Sequence, residues 1–249
     1  MKLRILILLS FVAFLSCETY NFNMAEYGKI GNDKKQIDQI LLDGKLSRKF
    51  NYDSQNRISQ IINYFESSND TIFISYNSDN QVSEIKYYKI YVDKYSYLDK
   101  KLLEMVTSNA QNPEWHIKLG YNYKNNRIDY ADKYSNDNLI GKIYFEYDKK
   151  GNAISRIEYS ADNKLKIEEF HYAYDDKQNP MVDFPNIPLD IFQSNNAVIS
   201  YRYSLVMSSL PTEYGIDYVY NNDGFPVSAK KYNVKYPDKI LYSYTYIYK

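Results

Sequence analysis

The chain has 249 residues with 31 basic and 31 acidic side chains, so no net charge steers it toward nucleic acid, anionic lipid or acidic substrates. One cysteine excludes a disulfide scaffold, and two histidines leave little from which to build a zinc site. Thirty tyrosines against one tryptophan and eight glycines favour strands, where aromatic rings pack on a pleated surface.

The first element is MKLRILILLSFVAFLSC. Lys2 and Arg4 are basic, and Ile5 to Leu15 is apolar except for Ser10. A helix of that length reaches about 16 Å. A bilayer core needs roughly 20 residues, so residues 1–16 read as a signal peptide and not as a membrane span. The run Phe14-Leu15-Ser16-Cys17 resembles the bacterial lipobox, departing from it at Phe14, where leucine is commoner. The resemblance implies that the Cys17 thiol receives a diacylglyceryl group and that cleavage makes Cys17 an acylated N-terminus. Each buried CH₂ contributes about 0.8 kcal/mol, so two or more chains hold a protein on a membrane. The alternative is a cleaved, unlipidated protein in which Cys17 is incidental. Residues 17–36 form the lipidated N-terminus and a polar tether, and residues 37–249 form a single repetitive β domain.

Within that domain a unit of about two dozen residues recurs. Each copy is an alternating run ending in tyrosine, an Asx-rich turn, and a second apolar run. Examples are Phe50-Asn51-Tyr52-Asp53 before SQNR, Ile74-Ser75-Tyr76-Asn77 before SDNQ, Phe145-Glu146-Tyr147-Asp148 before KKGN, and Tyr218-Val219-Tyr220-Asn221 before NDGF. Anchor tyrosines are read at 52, 76, 123, 147, 172, 220 and 244, with weaker copies at Leu98 to Val106 and Ile199 to Tyr203. Alternation predicts strands, and Asn, Asp and Gly supply the positive φ that tight turns need. After each turn the apolar residues lie three apart, which demands either a bulge or two covered faces. The fold class is therefore all-β, an antiparallel meander of hairpins forming one large curled sheet or open barrel. Pro180, Pro185 and Pro188 interrupt the pattern, predicting a loop or short helix near 187–193. Ser108 to Glu114 is a second irregular stretch.

Chemistry-bearing residues are sparse. His116 and His171 sit in no catalytic or metal-binding motif, and no GxSxG, phosphate-binding glycine loop or calcium-loop pattern occurs. Glu168-Glu169 and Asp175-Asp176 have the residue types of a glycosidase pair. Neighbouring strand residues face opposite ways, however, and the Asp pair opens a turn. No cofactor is implied. Trp115, Tyr87, Tyr91 and Tyr95 are the candidate ligand-binding residues, because Tyr and Trp line sugar and peptide sites. Packing and cross-strand pairing compete for the same tyrosines.

Tyr147-Asp148 with Gly151-Asn152, and Tyr220-Asn221 with Asp223-Gly224, resemble the YD repeats of large bacterial surface and toxin-shell proteins. The arginine and threonine typical after that turn are mostly missing. Residues 40–249 resemble an uncharacterised family of Bacteroidota lipoproteins. The likeness rests on Tyr174-Asp175-Asp176-Lys177-Gln178-Asn179-Pro180, Ser194-Asn195-Asn196, Tyr220 to Pro226 and the terminal Tyr-x-Tyr run. It departs from that family at Met181 and Phe225, where aromatic residues are commoner at 181 and Tyr at 225. The resemblance implies an all-β, exported, lipid-anchored protein, with an outer-membrane location and no established activity. The reading is a non-enzymatic envelope protein that binds a glycan or an envelope protein partner and no nucleic acid. A structural or assembly accessory and a carboxylate-based hydrolase are the alternatives.

Overall fold

Alternating residues broken by Asx turns become sixteen antiparallel strands. The structure, a computed structural model, describes residues 35–66, 68–179, 196–205 and 211–249. The first eight strands are β1 (Ile37–Leu42), β2 (Lys45–Tyr52), β3 (Ile58–Tyr64), β4 (Asn69–Tyr76), β5 (Val82–Tyr87), β6 (Tyr91–Leu98), β7 (Lys101–Asn109) and β8 (Asn112–Lys124). They continue as β9 (Arg127–Ser135), β10 (Asn138–Tyr147), β11 (Ala153–Ser160), β12 (Lys166–Gln178), β13 (Asn196–Leu205), β14 (Thr212–Tyr220), β15 (Pro226–Asn233) and β16 (Tyr236–Tyr248). Cys17, the signal peptide and the segment near 187–193 lie outside the described residues.

Each strand pairs with its neighbours in sequence, and β1 pairs with β16, so the sheet closes into a barrel. Ile40 faces Tyr246 and Leu42 faces Tyr244 across that seam. The Lys249 amide donates to the Gln36 carbonyl at 2.9 Å, and the Asp43 amide to the Ser243 carbonyl at 2.7 Å. Closure leaves no unpaired strand edge among the described residues.

At one end of the barrel the turns repeat almost atom for atom. Asp53, Asn77, Asp148 and Asn221 each open a turn with the side-chain oxygen accepting an amide four residues on, those of Arg57, Gln81, Asn152 and Phe225 at 2.9 Å. The fourth residue takes a left-handed φ: 59° at Asn56, 61° at Asn80, 92° at Gly151 and 81° at Gly224. Asn and Gly tolerate that region, which explains their recurrence.

The three-residue apolar spacing is a bulge. Tyr52 faces Ile58 while Asn51 faces Gln60, which leaves Ser59 extra. The same shift occurs before Tyr76, Tyr97, Tyr123, Tyr147 and Tyr220. The bulge keeps Ile58 and Ile61, or Val82 and Ile85, on one face. That face points into the barrel and buries Phe50, Ile58, Ile61, Ile74, Val82, Ile85, Leu102, Ile128, Ile143 and Phe145. The outer face carries Lys49, Lys86, Lys94, Lys118, Lys142, Glu146, Asp217 and Lys230, each between two inward residues.

Three details differ from the sequence reading. The strand-ending tyrosines of the sixth and eighth units are Tyr174 and Tyr248, and Tyr172 and Tyr244 lie further back in the same strands. Ile199 to Tyr203 belongs to β13, the return strand of β12, and is no separate unit. Ser108 to Glu114 forms the β7–β8 hairpin, because the Asn109 side chain accepts the Gln111 amide at 2.8 Å. Pro113 is tolerated there because β9 pairs with β8 only from Ile117 onward.

Candidate functional site

At the Asx-turn end most strand-ending tyrosines fasten one hairpin to the previous one. The hydroxyl of Tyr52 donates to Ile37 O at 2.7 Å, Tyr76 to Ile58 O at 2.7 Å, and Tyr97 to Val82 O at 2.8 Å. Tyr123 donates to Leu102 O at 2.9 Å, Tyr174 to Ala153 O at 2.6 Å, and Tyr248 to Pro226 O at 2.8 Å. Tyr220 donates instead to the Asp175 carboxylate. A cation from the preceding turn covers several of these rings: Arg57 over Tyr76 at 4.1 Å, Lys101 over Tyr123 at 5.4 Å, and Arg127 over Tyr147 at 5.5 Å. Burial raises the phenols of Tyr76, Tyr97, Tyr123, Tyr147 and Tyr220, Tyr123 to about 12, so they remain donors at neutral pH. This end is built for stability.

The opposite end is built differently. Its inward face is open to water, since Tyr242, facing inward on β16, is 43% exposed. Here β5, β6 and β8 place Tyr87, Tyr91 and Trp115 side by side. The Tyr87 and Tyr91 rings stack at 5.6 Å, and Tyr91 meets Trp115 edge-on at 6.2 Å. Tyr88, on the turn above, packs against Tyr87 at 5.7 Å. Beneath this wall lies Asp93, 7% exposed, which accepts the Tyr87 hydroxyl at 3.2 Å and the Tyr95 hydroxyl at 3.5 Å. Burial raises the Asp93 carboxyl, while hydrogen bonds from Thr107, Tyr87 and Tyr95 pull it back toward its ordinary range.

Ionic groups fill the rest of this half. Lys133 pairs with Glu158 at 2.7 Å, Glu158 approaches Arg156 at 3.7 Å, and Arg156 pairs with Glu168 at 2.7 Å. Lys231 projects among Tyr201, Tyr214 and Tyr242 at 5.2, 4.4 and 5.7 Å. Such a cage favours a cation through the ring quadrupoles. The interior is thus graded, apolar at the Asx-turn end and aromatic and charged at the mouth.

Of the four aromatic residues singled out in the sequence, Tyr87, Tyr91 and Trp115 share the mouth wall. Tyr95 is buried in the core and contributes through its hydroxyl. His116 faces outward beside Asp137 at 3.4 Å, and His171 pairs with Glu169 on the outer face. Hydrogen bonds from Lys166 and His171 hold the Glu169 carboxyl at about 2. Glu168 points inward to Arg156, so the adjacent glutamates face opposite sides. Among the described residues no group of three or more His, Cys, Asp or Glu is gathered to hold a metal. Sequence reasoning missed Asp93, Arg48, Asp70 and the Lys231 cage. Their signal was a charged residue at an inward position of the alternation.

No protein-family model matches the chain, and no curated protein matches it in sequence. Among solved structures, a porin-like protein from Bacteroides uniformis ATCC 8492 aligns with a TM-score of 0.55 and 12% identity, over 87% of this chain and 99% of that one. A porin-like protein from Bacteroides vulgatus ATCC 8482 aligns with a TM-score of 0.45 and 10% identity, over 86% and 98%. A TcdB2-TccC3-Cdc42 structure aligns with a TM-score of 0.32 and 14% identity, over 77% of this chain and 9% of that one. The first match shows a shared fold.

Proposed function

We propose that the chain is a lipid-anchored protein of a bacterial cell envelope whose barrel is a non-enzymatic receptor for a glycan. The observation that carries this reading is the wall of Tyr87, Tyr91 and Trp115 above the Asp93 carboxylate. Flat rings accept the apolar faces of sugars, and a carboxylate accepts their hydroxyls.

Two features support the anchor. The outer face bears charges at mid-strand, and on a lipid-facing barrel each Lys or Arg near the midplane costs about 2–4 kcal/mol. A membrane-bound protein with this surface needs an attachment elsewhere, which lipid on Cys17 supplies. Gln36 precedes β1 at the Asx-turn end, so the chain from Cys17 enters the barrel at the end opposite the mouth. The fold shared with a porin-like protein of Bacteroides and the resemblance to Bacteroidota lipoproteins support an outer-membrane location. The mouth turns also expose Phe65, Tyr88, Leu165, Val234 and Tyr236, which favours an envelope protein as the second kind of partner.

Screening the full chain in detergent against immobilised oligosaccharides, followed by calorimetry, tests the receptor reading. Tyr91→Ala and Trp115→Ala should each weaken binding about tenfold or more, the 1.4 kcal/mol expected of a lost stacking ring. Unchanged affinity in both variants would remove the wall from the proposal.

A further inference from the structure

Among the described residues three charges on the inward face of the mouth have no counter-ion: Lys231, caged by tyrosine rings, and Arg48 and Asp70, which have no such cage. Arg48 stands opposite Asn63, and Asn63 opposite Asp70, so the guanidinium is on β2 and the carboxylate on β4 with one strand between them. Two strand spacings set their backbones about 10 Å apart. Among the described residues neither joins an ion pair. Asp70 is 8% exposed and its Oδ2 has no hydrogen-bond partner. Arg48 has tyrosines as its ionisable neighbours, Tyr244, Tyr88 and Tyr246, and burial pulls its guanidinium down. The other inward carboxylates are provided for: Glu158 and Glu168 by cations, Asp93 by hydroxyls.

An ionised group taken from water without a partner destabilises a fold, and native structures keep one where something else completes it. We infer that Arg48 and Asp70 are the two poles of a subsite for a zwitterion, an α-amino acid or the end residue of a short peptide. The planar guanidinium matches a carboxylate with two parallel hydrogen bonds. The Asp70 Oδ2 accepts from an ammonium group. The Asn63 amide, between them, can both donate and accept. A simple anion leaves Asp70 unpaired, a simple cation leaves Arg48 unpaired, and a neutral sugar answers neither charge. The subsite adjoins the aromatic wall at Tyr88, but its charges stand on β2 and β4 and use none of Tyr87, Tyr91 or Trp115, so the inference does not rest on the glycan reading.

The full chain in detergent can be titrated with the protein amino acids one at a time and with alanylalanine, using acetate and methylammonium as single-charge controls. Calorimetry and the Tm shift are the readouts. At least one zwitterion should bind and raise the Tm, with both controls at least tenfold weaker. Arg48→Met and Asp70→Asn should each weaken that binding at least tenfold, while Tyr91→Ala and Trp115→Ala leave it unchanged. Without ligand, the Asp70→Asn Tm should stay at or above that of the parent, because no internal partner is lost. No zwitterion bound at 10 mM, on the order of the weakest affinity worth counting, would overturn the inference. So would controls that bind equally well, or a lowered ligand-free Tm for Asp70→Asn.

Discussion

Asp93 shows how one side chain can be held against its own solvation. It is buried beneath Tyr87 and Tyr91, and burial outweighs the three hydroxyls that reach it, so its carboxyl titrates above the usual range. For an acid raised in the folded state, the folded form binds the proton more tightly than the unfolded form. Stability associated with Asp93 therefore rises as pH falls toward the unfolded value of about 3.9 and declines as pH climbs through the folded value. Asp93→Asn should accordingly gain stability over the parent at pH 7, and that gain should shrink as the buffer approaches pH 4. Thermal melts at the two pH values test the sign; a gain that grew on acidification would contradict it. Tyrosine meanwhile serves several purposes in one barrel. Tyr76 bonds a carbonyl, Tyr91 stacks with its neighbours, and Tyr214 covers a lysine. Position relative to the turn, not residue type, decides which.

At the scale of elements, a lone hairpin is marginal in water, and each one here is fastened to the last. The Tyr76 hydroxyl crosses from β4 to Ile58 at the start of β3, and Arg57 from the preceding turn lies on its ring. Arg57 also donates to Asn80 in the next turn at 2.8 Å, so turn, ring and neighbouring turn form one contact set. Tyr76→Phe keeps the ring and removes the donor, leaving the carbonyl of a residue that is only 1% exposed without that bond. The expected loss is about 1–2 kcal/mol. Urea unfolding measures it as a lower midpoint at unchanged slope. A midpoint equal to that of the parent would show that the hydroxyl adds nothing beyond the cation above its ring.

At the scale of the whole molecule, the barrel differs from a porin-type one in the mid-strand charges of its outer face. Its apolar core lies inside at the Asx-turn end, and its outer face mixes charges such as Lys49, Lys94 and Lys118 with exposed apolar residues such as Phe73, Val219 and Ile247. The proposed lipid anchor puts attachment in residues before the barrel. Cys17→Ala should abolish metabolic palmitate labelling and move the protein from the membrane to the soluble fraction. Retention of the variant in membranes would refute the anchor.

The sequence by itself determined the all-β class, the Asx turns and most of the strands. These follow from local rules: a period of two, Asx side chains that bond nearby amides, and left-handed positions that only Asn or Gly fill readily. The three-apart spacing after Tyr52 and Tyr76 already required a bulge or a second covered face, and the register shows the bulge. Closure was not legible, because the pairing of β1 with β16 joins residues from opposite ends of the chain and leaves no local mark. The mouth was legible only as aromatic letters. Tyr87, Tyr91 and Trp115 were visible as rings, yet Asp93, Asp70 and Arg48 read as ordinary charged strand residues. Only the closed barrel turned those charges inward, and an inward charge differs from an outward one solely in the water it has lost.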